Sequence, residues 1–232
     1  MIFSRSKIDF KFNIQMKGNK IEQVKEVRYL GVYLDQKLKW NKHIEIIKSK
    51  LCRASYVLSK LRHYVDLGTL KMVYYSLVYP HLNYCVSAWG GVCKTNLQPI
   101  VRLQKKILRI ITFSPFDSHS DPLFLKLKIL PFDFIYKLNL SILMNKIQNN
   151  NITGSYNLIP LQNIHKHNTR LSTSSNYYQN KNSISTGQTT FTNQGLKLWR
   201  KVPTDIKKLP LNLFKYKIKQ FFFECMKKQI FL

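Results

Sequence analysis

Nucleotidyl transfer by two metal ions needs at least two carboxylates held close together, because each must ligate an ion that bridges substrate oxygens. The chain has eleven Asp and Glu in 232 residues, no two of them adjacent. The nearest pairs, Glu22 with Glu26 and Asp117 with Asp121, fall on an expected hairpin edge and in an expected loop, and neither reads as a metal site. His165 and His167 stand in a polar stretch without a cysteine or third ligand nearby, so they do not read as zinc ligands. Cys52, Cys85, Cys93 and Cys225 form no Cys-x-x-Cys pair and lie in apolar or helical contexts, where buried thiols are expected. No glycine-rich phosphate loop, Gly-x-Ser-x-Gly elbow or His-Glu-x-x-His helix occurs. The residues by themselves imply no catalytic group, metal or cofactor.

Binding chemistry is better represented. Lys and Arg number 38, which leaves a formal net charge of +27. Self-repulsion on that scale opposes compaction unless a polyanion offsets it, and nucleic acid is the polyanion expected. A biased genome, visible in the Lys, Asn and Ile content, is the competing source of the lysines, but it does not explain the scarcity of acids. Arg102, Lys105, Lys106 and Arg109 stand at i, i+3, i+4 and i+7, so a helix stacks them on one side. Such like charges repel by about 0.2–0.5 kcal/mol per pair unless phosphates sit against them. Lys48 and Arg53 belong to another helix and read either as its solvated side or as further phosphate contacts. Tyr29, Tyr33, Trp40, Tyr56, Tyr64, Tyr74 and Tyr75 are interleaved with lysines, as stacking on unpaired bases requires, but core packing is expected for most of them, above all for Trp40 and Tyr74 on their apolar stripes.

The elements that must position these residues follow from periodicity. Phe10, Phe12, Ile14 and Met16 alternate before Lys17-Gly18-Asn19-Lys20, a hairpin signal, and Tyr29 to Leu34 reads as a short apolar strand interrupted by Gly31. From Trp40 the period changes: Trp40, Ile44, Ile47, Leu51, Ala54, Leu58 and Leu61 form one helical stripe. Asp66 caps a second helix that ends near Pro80, and His81 to Trp89, apolar nearly all round, reads as a core helix closed by Gly90-Gly91. Asn96 is the expected cap of a third helix with Leu97, Ile100, Val101, Leu108 and Ile111 inside. Pro131 opens a longer helix carrying Phe134, Leu138, Ile142 and Leu143. Ten asparagines between Asn149 and Asn193 mark a loose connector, and a last helix from about Asn212 places Phe214, Ile218, Phe221 and Cys225 on one face. No apolar run approaches the roughly 18–20 residues of a membrane span, and the start, Met1 to Arg5, lacks the apolar core of a signal peptide. An intracellular protein of nucleus or cytoplasm is expected.

Three blocks, in order, resemble the C-terminal part of a non-LTR retrotransposon reverse transcriptase of the jockey or LINE type. Arg28 to Asp35, with Leu38-Lys39-Trp40 and His43-Ile44, resembles the end of the palm, with its Leu-Gly primer grip, leading into the thumb. Tyr79-Pro80-His81-Leu82-Asn83-Tyr84 with Ala88-Trp89-Gly90, followed by a helix with Leu103-Gln104-Lys105-Lys106, resembles the next block. Gly195 to Trp199 and Val202-Pro203 through Ile206 resemble the tail motif.

The resemblance implies that Tyr29, Leu30 and Gly31 form a primer-grip-like segment and that the helices from residue 41 to 113 are a thumb holding RNA/DNA duplex by its backbone. The expected fold class is mainly α: a terminal palm hairpin over 1–36, a helical thumb-like bundle over 37–115, a helical extension over 116–148, the connector over 149–193 and a smaller C-terminal unit over 194–232. The parent enzyme would need magnesium, held by palm aspartates of a Phe/Tyr-x-Asp-Asp motif that is missing here. The expected function is therefore that of a remnant without catalysis that binds primer-template. Two alternatives stay open: part of an active reverse transcriptase whose palm lies upstream, or a recruited structural protein with no nucleic-acid role.

Overall fold

The computed structural model describes residues 1, 3, 13–149, 158–164, 177–178 and 191–228. Phe10 and Phe12, the pair His165 and His167, and most of the Asn-rich connector lie outside the described residues. The fold is mainly α, with short antiparallel hairpins ahead of the helices.

The N-terminal part holds two hairpins where the sequence suggests one. Strands β1 (Gln15–Met16) and β2 (Asn19–Lys20) pair across Lys17 and Gly18, both at positive φ. Strands β3 (Glu26–Tyr29) and β4 (Val32–Asp35) pair in the register Tyr29 to Val32, so Leu30 and Gly31 are the two central residues of a tight turn rather than an interruption within one strand. Their φ values of 45° and 81° are what a primed two-residue turn demands. An apolar run continuing through the turn hides it from a periodicity reading.

Asp35 ends β4 and organises the entry to helix α1 (Asn41–Leu61), accepting the backbone N–H groups of Lys37 at 3.1 Å, Lys39 at 2.9 Å and Trp40 at 2.5 Å. Trp40, first of the expected stripe, is left-handed at φ 61° and stands just outside the helix. Ile44, Ile47, Leu51, Ala54 and Leu58 are buried as the spacing requires. Helix α2 (Leu67–Leu77) is capped by Asp66, whose carboxylate accepts from the N–H groups of Gly68 and Thr69 and from the Thr69 hydroxyl.

The expected core helix from His81 to Trp89 is not continuous. Helix α3 (Tyr79–Asn83) and helix α4 (Val86–Trp89) are separated by an extended Tyr84 and a left-handed Cys85, with the Trp89 indole N–H donating to the Tyr84 carbonyl at 2.9 Å. All-round apolar character marks burial but carries no phase, so it does not reveal a break. Gly90 follows where α4 meets a later helix: an added Cβ would stand 2.6 Å from the Tyr136 ring and 2.7 Å from the Val86 carbonyl oxygen.

Helix α5 (Lys94–Thr112) starts before Asn96, which is therefore not its cap; the Asn96 amide instead donates to Asn41 at 3.1 Å and ties the starts of α5 and α1 together. At the far ends Arg62 lies 4.0 Å from the centre of the Phe113 ring, so the two helices run parallel. Helix α6 (Asp121–Leu127) leads to α7 (Phe132–Gln148), which buries Phe132, Ile135, Leu138 and Met144. Pro131 precedes α7, and of the four apolar residues expected on its face only Leu138 is fully buried. Helices α8 (Phe191–Lys201), α9 (Thr204–Lys207) and α10 (Leu211–Lys227) follow, and one apolar cluster runs from Ile44 through α7 to Phe222. In α10 Phe222 takes the inner place expected of Phe221, which is half-buried.

Gln104 is fully buried on the apolar face of α5. Its amide donates to the Tyr74 hydroxyl at 2.9 Å and to the Leu130 carbonyl at 3.0 Å, while its oxygen accepts the Phe132 N–H at 2.8 Å. One side chain thus joins α2, α5 and the start of α7, and burial pushes the Tyr74 hydroxyl well above the ordinary tyrosine range. Replacing Gln104 by Ala strands three buried polar groups. The unfolding free energy read from urea titration should fall by about 3 kcal/mol; a loss below about 1 kcal/mol contradicts the clamp.

Candidate nucleic-acid interface

The Leu30–Gly31 turn projects from the body, with Tyr29 60% and Leu30 72% exposed. Tyr84, freed by the break between α3 and α4, reaches it: its hydroxyl donates to the Leu30 carbonyl at 2.5 Å, and its ring lies 3.4 Å from where a Cβ on Gly31 would stand. At a φ of 81° any side chain on Gly31 is also strained. Two of the sequence blocks, widely separated along the chain, therefore meet at this one contact.

Beneath the turn a cleft of about 490 Å³ opens between the β3–β4 hairpin, α1 and α3. Its polar walls are Arg28 and Tyr33 from the hairpin, His43 and Lys50 from α1, His81 from α3, and Tyr84. Arg28 and Tyr33 are register partners, with the guanidinium 6.0 Å from the ring centre. Burial, and then the charge of Lys50, lower the affinity of His43 for a proton; burial, Lys50 and Arg53 do the same to His81.

On α5, Arg102 and Lys106 are exposed, and Lys105 and Arg109 are half-buried. Arg109 donates from Nε to the Ser118 carbonyl at 2.9 Å and lies 6.0 Å from the Phe116 ring centre, so part of its donor capacity is used within the chain. The stripe does not line the cleft. Lys48 and Arg53 are both exposed, but a five-residue separation puts them on different sides of α1. Arg53 stands near enough to act on His81, whereas Lys48 is not part of the cleft.

Tyr29, Tyr56 and Tyr64 are exposed, Tyr74 is fully buried, and Trp40 packs half-buried against the core. Cys52, Cys85 and Cys93 are exposed free thiols, contrary to the expectation of burial; only Cys225 is buried. Cys52 lies on the outer side of α1, Cys85 in the break between α3 and α4, and Cys93 just ahead of α5. No group of three or more His, Cys, Asp or Glu among the described residues is placed to hold a metal ion. No described helix is long and apolar enough to cross a membrane. Of the polar groups of the cleft, only Tyr33 is singled out by its own spacing in the sequence. His43, His81 and Tyr84 lie inside the blocks quoted above, but their convergence depends on the break at Tyr84 and Cys85.

Over part of its length the chain is similar to RNA-directed DNA polymerases of mobile elements. The chain is 31% identical over 106 residues to the RNA-directed DNA polymerase from mobile element jockey of Drosophila melanogaster, a stretch that is 44% of this chain and 12% of that protein. It is 31% identical over 96 residues to the probable RNA-directed DNA polymerase from transposon X-element of the same fly, covering 40% of this chain and 10% of the relative. The jockey polymerase of Drosophila funebris is 27% identical over 120 residues, 50% of this chain and 13% of the relative. The matched stretch is thus about a tenth to an eighth of the length of these relatives. The chain is related to retrotransposon RNA-directed DNA polymerases. No family model matches it, and no solved structure does.

Two outcomes follow from this geometry. Changing Tyr84 to Phe removes the bond to the Leu30 carbonyl, so amide exchange across residues 30–33 should speed up roughly fivefold; unchanged exchange contradicts the anchoring role. His43 binds its proton more weakly when folded than when unfolded. Its contribution to stability is therefore present in full above the unfolded value of about 6.5, and is lost as pH falls through the lower folded value. The urea midpoint should drop between about pH 7 and pH 5, and less in His43→Phe; an equal drop in the variant contradicts the assignment.

Proposed function

We propose that this chain holds primer-template duplex by its backbone, without reading sequence, through the Leu30–Gly31 turn, the adjoining cleft and the outward cations of α1 and α5. The observation that carries the reading is the contact of Tyr84 with Leu30 and Gly31, which fixes an exposed turn directly above a cationic cleft. Tyr29, Leu30 and Gly31 act as the grip on a primer strand: Gly31 lets the turn close against the Tyr84 ring, and the exposed Tyr29 and Leu30 present apolar surface to the strand. Arg102, Lys105 and Lys106, with part of Arg109, neutralise phosphates farther along the duplex, and Lys48 and Arg53 add charge from α1.

In this reading the chain does not itself add nucleotides, and no step in it passes through the magnesium that the resemblance implies. A second reading is favoured by the matched stretch being only 12% of the first jockey polymerase. In that reading the same surface serves as the duplex-holding piece of a longer polymerase, whose carboxylates come from elsewhere.

Titration with a labelled RNA–DNA hybrid tests the proposal. Affinity should fall steeply with salt, and replacing Arg102, Lys105 and Lys106 together by Ala should reduce the slope of log K against log salt by about 2–3. The purified chain should make no DNA on a primed template. Salt-independent binding, an unchanged slope in the triple variant, or DNA synthesis would each overturn it.

A further inference from the structure

The cleft contains an anomaly that general duplex binding does not explain. His43 is 5% exposed, lines the cleft, and neither of its ring nitrogens has a hydrogen-bond partner in the protein. Buried polar side chains nearly always have one. Its ring is held edge-on between Trp40, with centroids 6.1 Å apart, and Trp89, at 5.4 Å, so its plane is fixed.

Every charged group facing it is a cation or becomes one. Lys50 lies on the same helix, Arg28 on β3 and His81 on α3; Tyr33 of β4 and Tyr84 complete the polar wall. Trp89 covers the ring from α4. The carboxylate of Asp35, on the segment leading into α1, is already occupied by three backbone N–H groups. None of the described lining residues is a carboxylate. Such a site is short of negative charge. An anion entering it would pair with Lys50 and Arg28 and offset the charge of Lys50, which adds to burial in keeping protons off the two imidazoles. The volume, about 490 Å³, suits a phosphate with its attached sugar rather than a bare ion.

We infer that the cleft is a phosphate-group site in which Lys50 and Arg28 supply fixed charge and His43, assisted by His81, takes up a proton as the phosphate enters. This rests on the duplex-holding reading only for the source of the phosphate, a nucleic-acid backbone. The shared chemistry also admits a free phosphate or nucleotide. Binding and protonation are then reciprocal: phosphate raises the proton affinity of His43, and acid tightens phosphate binding.

The test follows the histidine ring signals of the full chain by NMR from pH 5 to 8 at fixed ionic strength, in chloride, in inorganic phosphate and with an RNA–DNA hybrid. The His43 signal is assigned by loss in His43→Gln. In chloride, His43 should titrate below the ordinary histidine range. With phosphate or hybrid its midpoint should rise by about one pH unit, equivalent to roughly tenfold tighter binding of the ligand to the protonated chain. Lys50→Gln, at an exposed position, should remove most of that rise. A rise with hybrid alone identifies the backbone phosphodiester as occupant; a rise with inorganic phosphate alone identifies a free phosphate, and either supports the site. An unmoved midpoint in both overturns it, and the wild-type measurement decides this even if a variant fails to fold. Salt-dependent hybrid binding with His43 unmoved sinks this site and leaves the duplex grip standing. A rise with inorganic phosphate but no binding of hybrid does the reverse.

Discussion

The arrangement turns on one phenol. Tyr84 leaves the helical body at the break between α3 and α4 and bonds the Leu30 carbonyl, and its ring closes against Gly31. The break has a cost: Cys85 sits in the left-handed region at φ 49°, which non-glycine residues seldom adopt. Continuing the helix would avoid that strain but would turn Tyr84 away from the hairpin. An isolated two-stranded ribbon is marginal in water. This one is held from two sides, by Tyr84 at its turn and by Asp35, whose carboxylate fastens the chain where it enters α1.

The helices behind the hairpin are tied by a small number of buried polar contacts in a large apolar cluster. Gln104 serves α2, α5 and the approach to α7 with one amide, and Asn96 to Asn41 aligns the parallel pair α1 and α5 at their starts. The same pairing fixes where the cations go. With Leu97, Ile100, Gln104, Ile107 and Leu108 turned inward, Arg102 and Lys106 have no direction but outward. The repulsion along that stripe is the electrostatic counterpart of the cationic cleft: both concentrate positive charge that a phosphate would offset.

Much of the fold is legible in the sequence where burial is one-sided. The stripe from Ile44 to Leu58 has a single phase, and Asp66 is the expected cap because a carboxylate there meets free N–H groups whatever the tertiary context. Legibility fails where burial is two-sided or a polar residue is inside. The segment from His81 to Trp89 gives no phase from which to place its break. Gln104 carries no local signal of burial; three elements close around it only in the fold. The Leu30–Gly31 turn is masked by apolar neighbours on both sides. At the site, the α5 stripe is readable because it is local. The cleft is not, because Arg28, His43, Lys50 and His81 come from three elements that meet only once the chain bends at Tyr84 and Cys85.

Amide hydrogen exchange with and without an RNA–DNA hybrid decides whether the hairpin turn, the cleft and the α5 stripe face one duplex. Exchange should slow at the turn around residues 28–33, along the cleft side of α1 over 43–50 and on α5 over 102–109, while α10 over 211–227 stays unchanged. Protection confined to α10, or absent from all three segments under conditions where the hybrid is bound, would contradict the account.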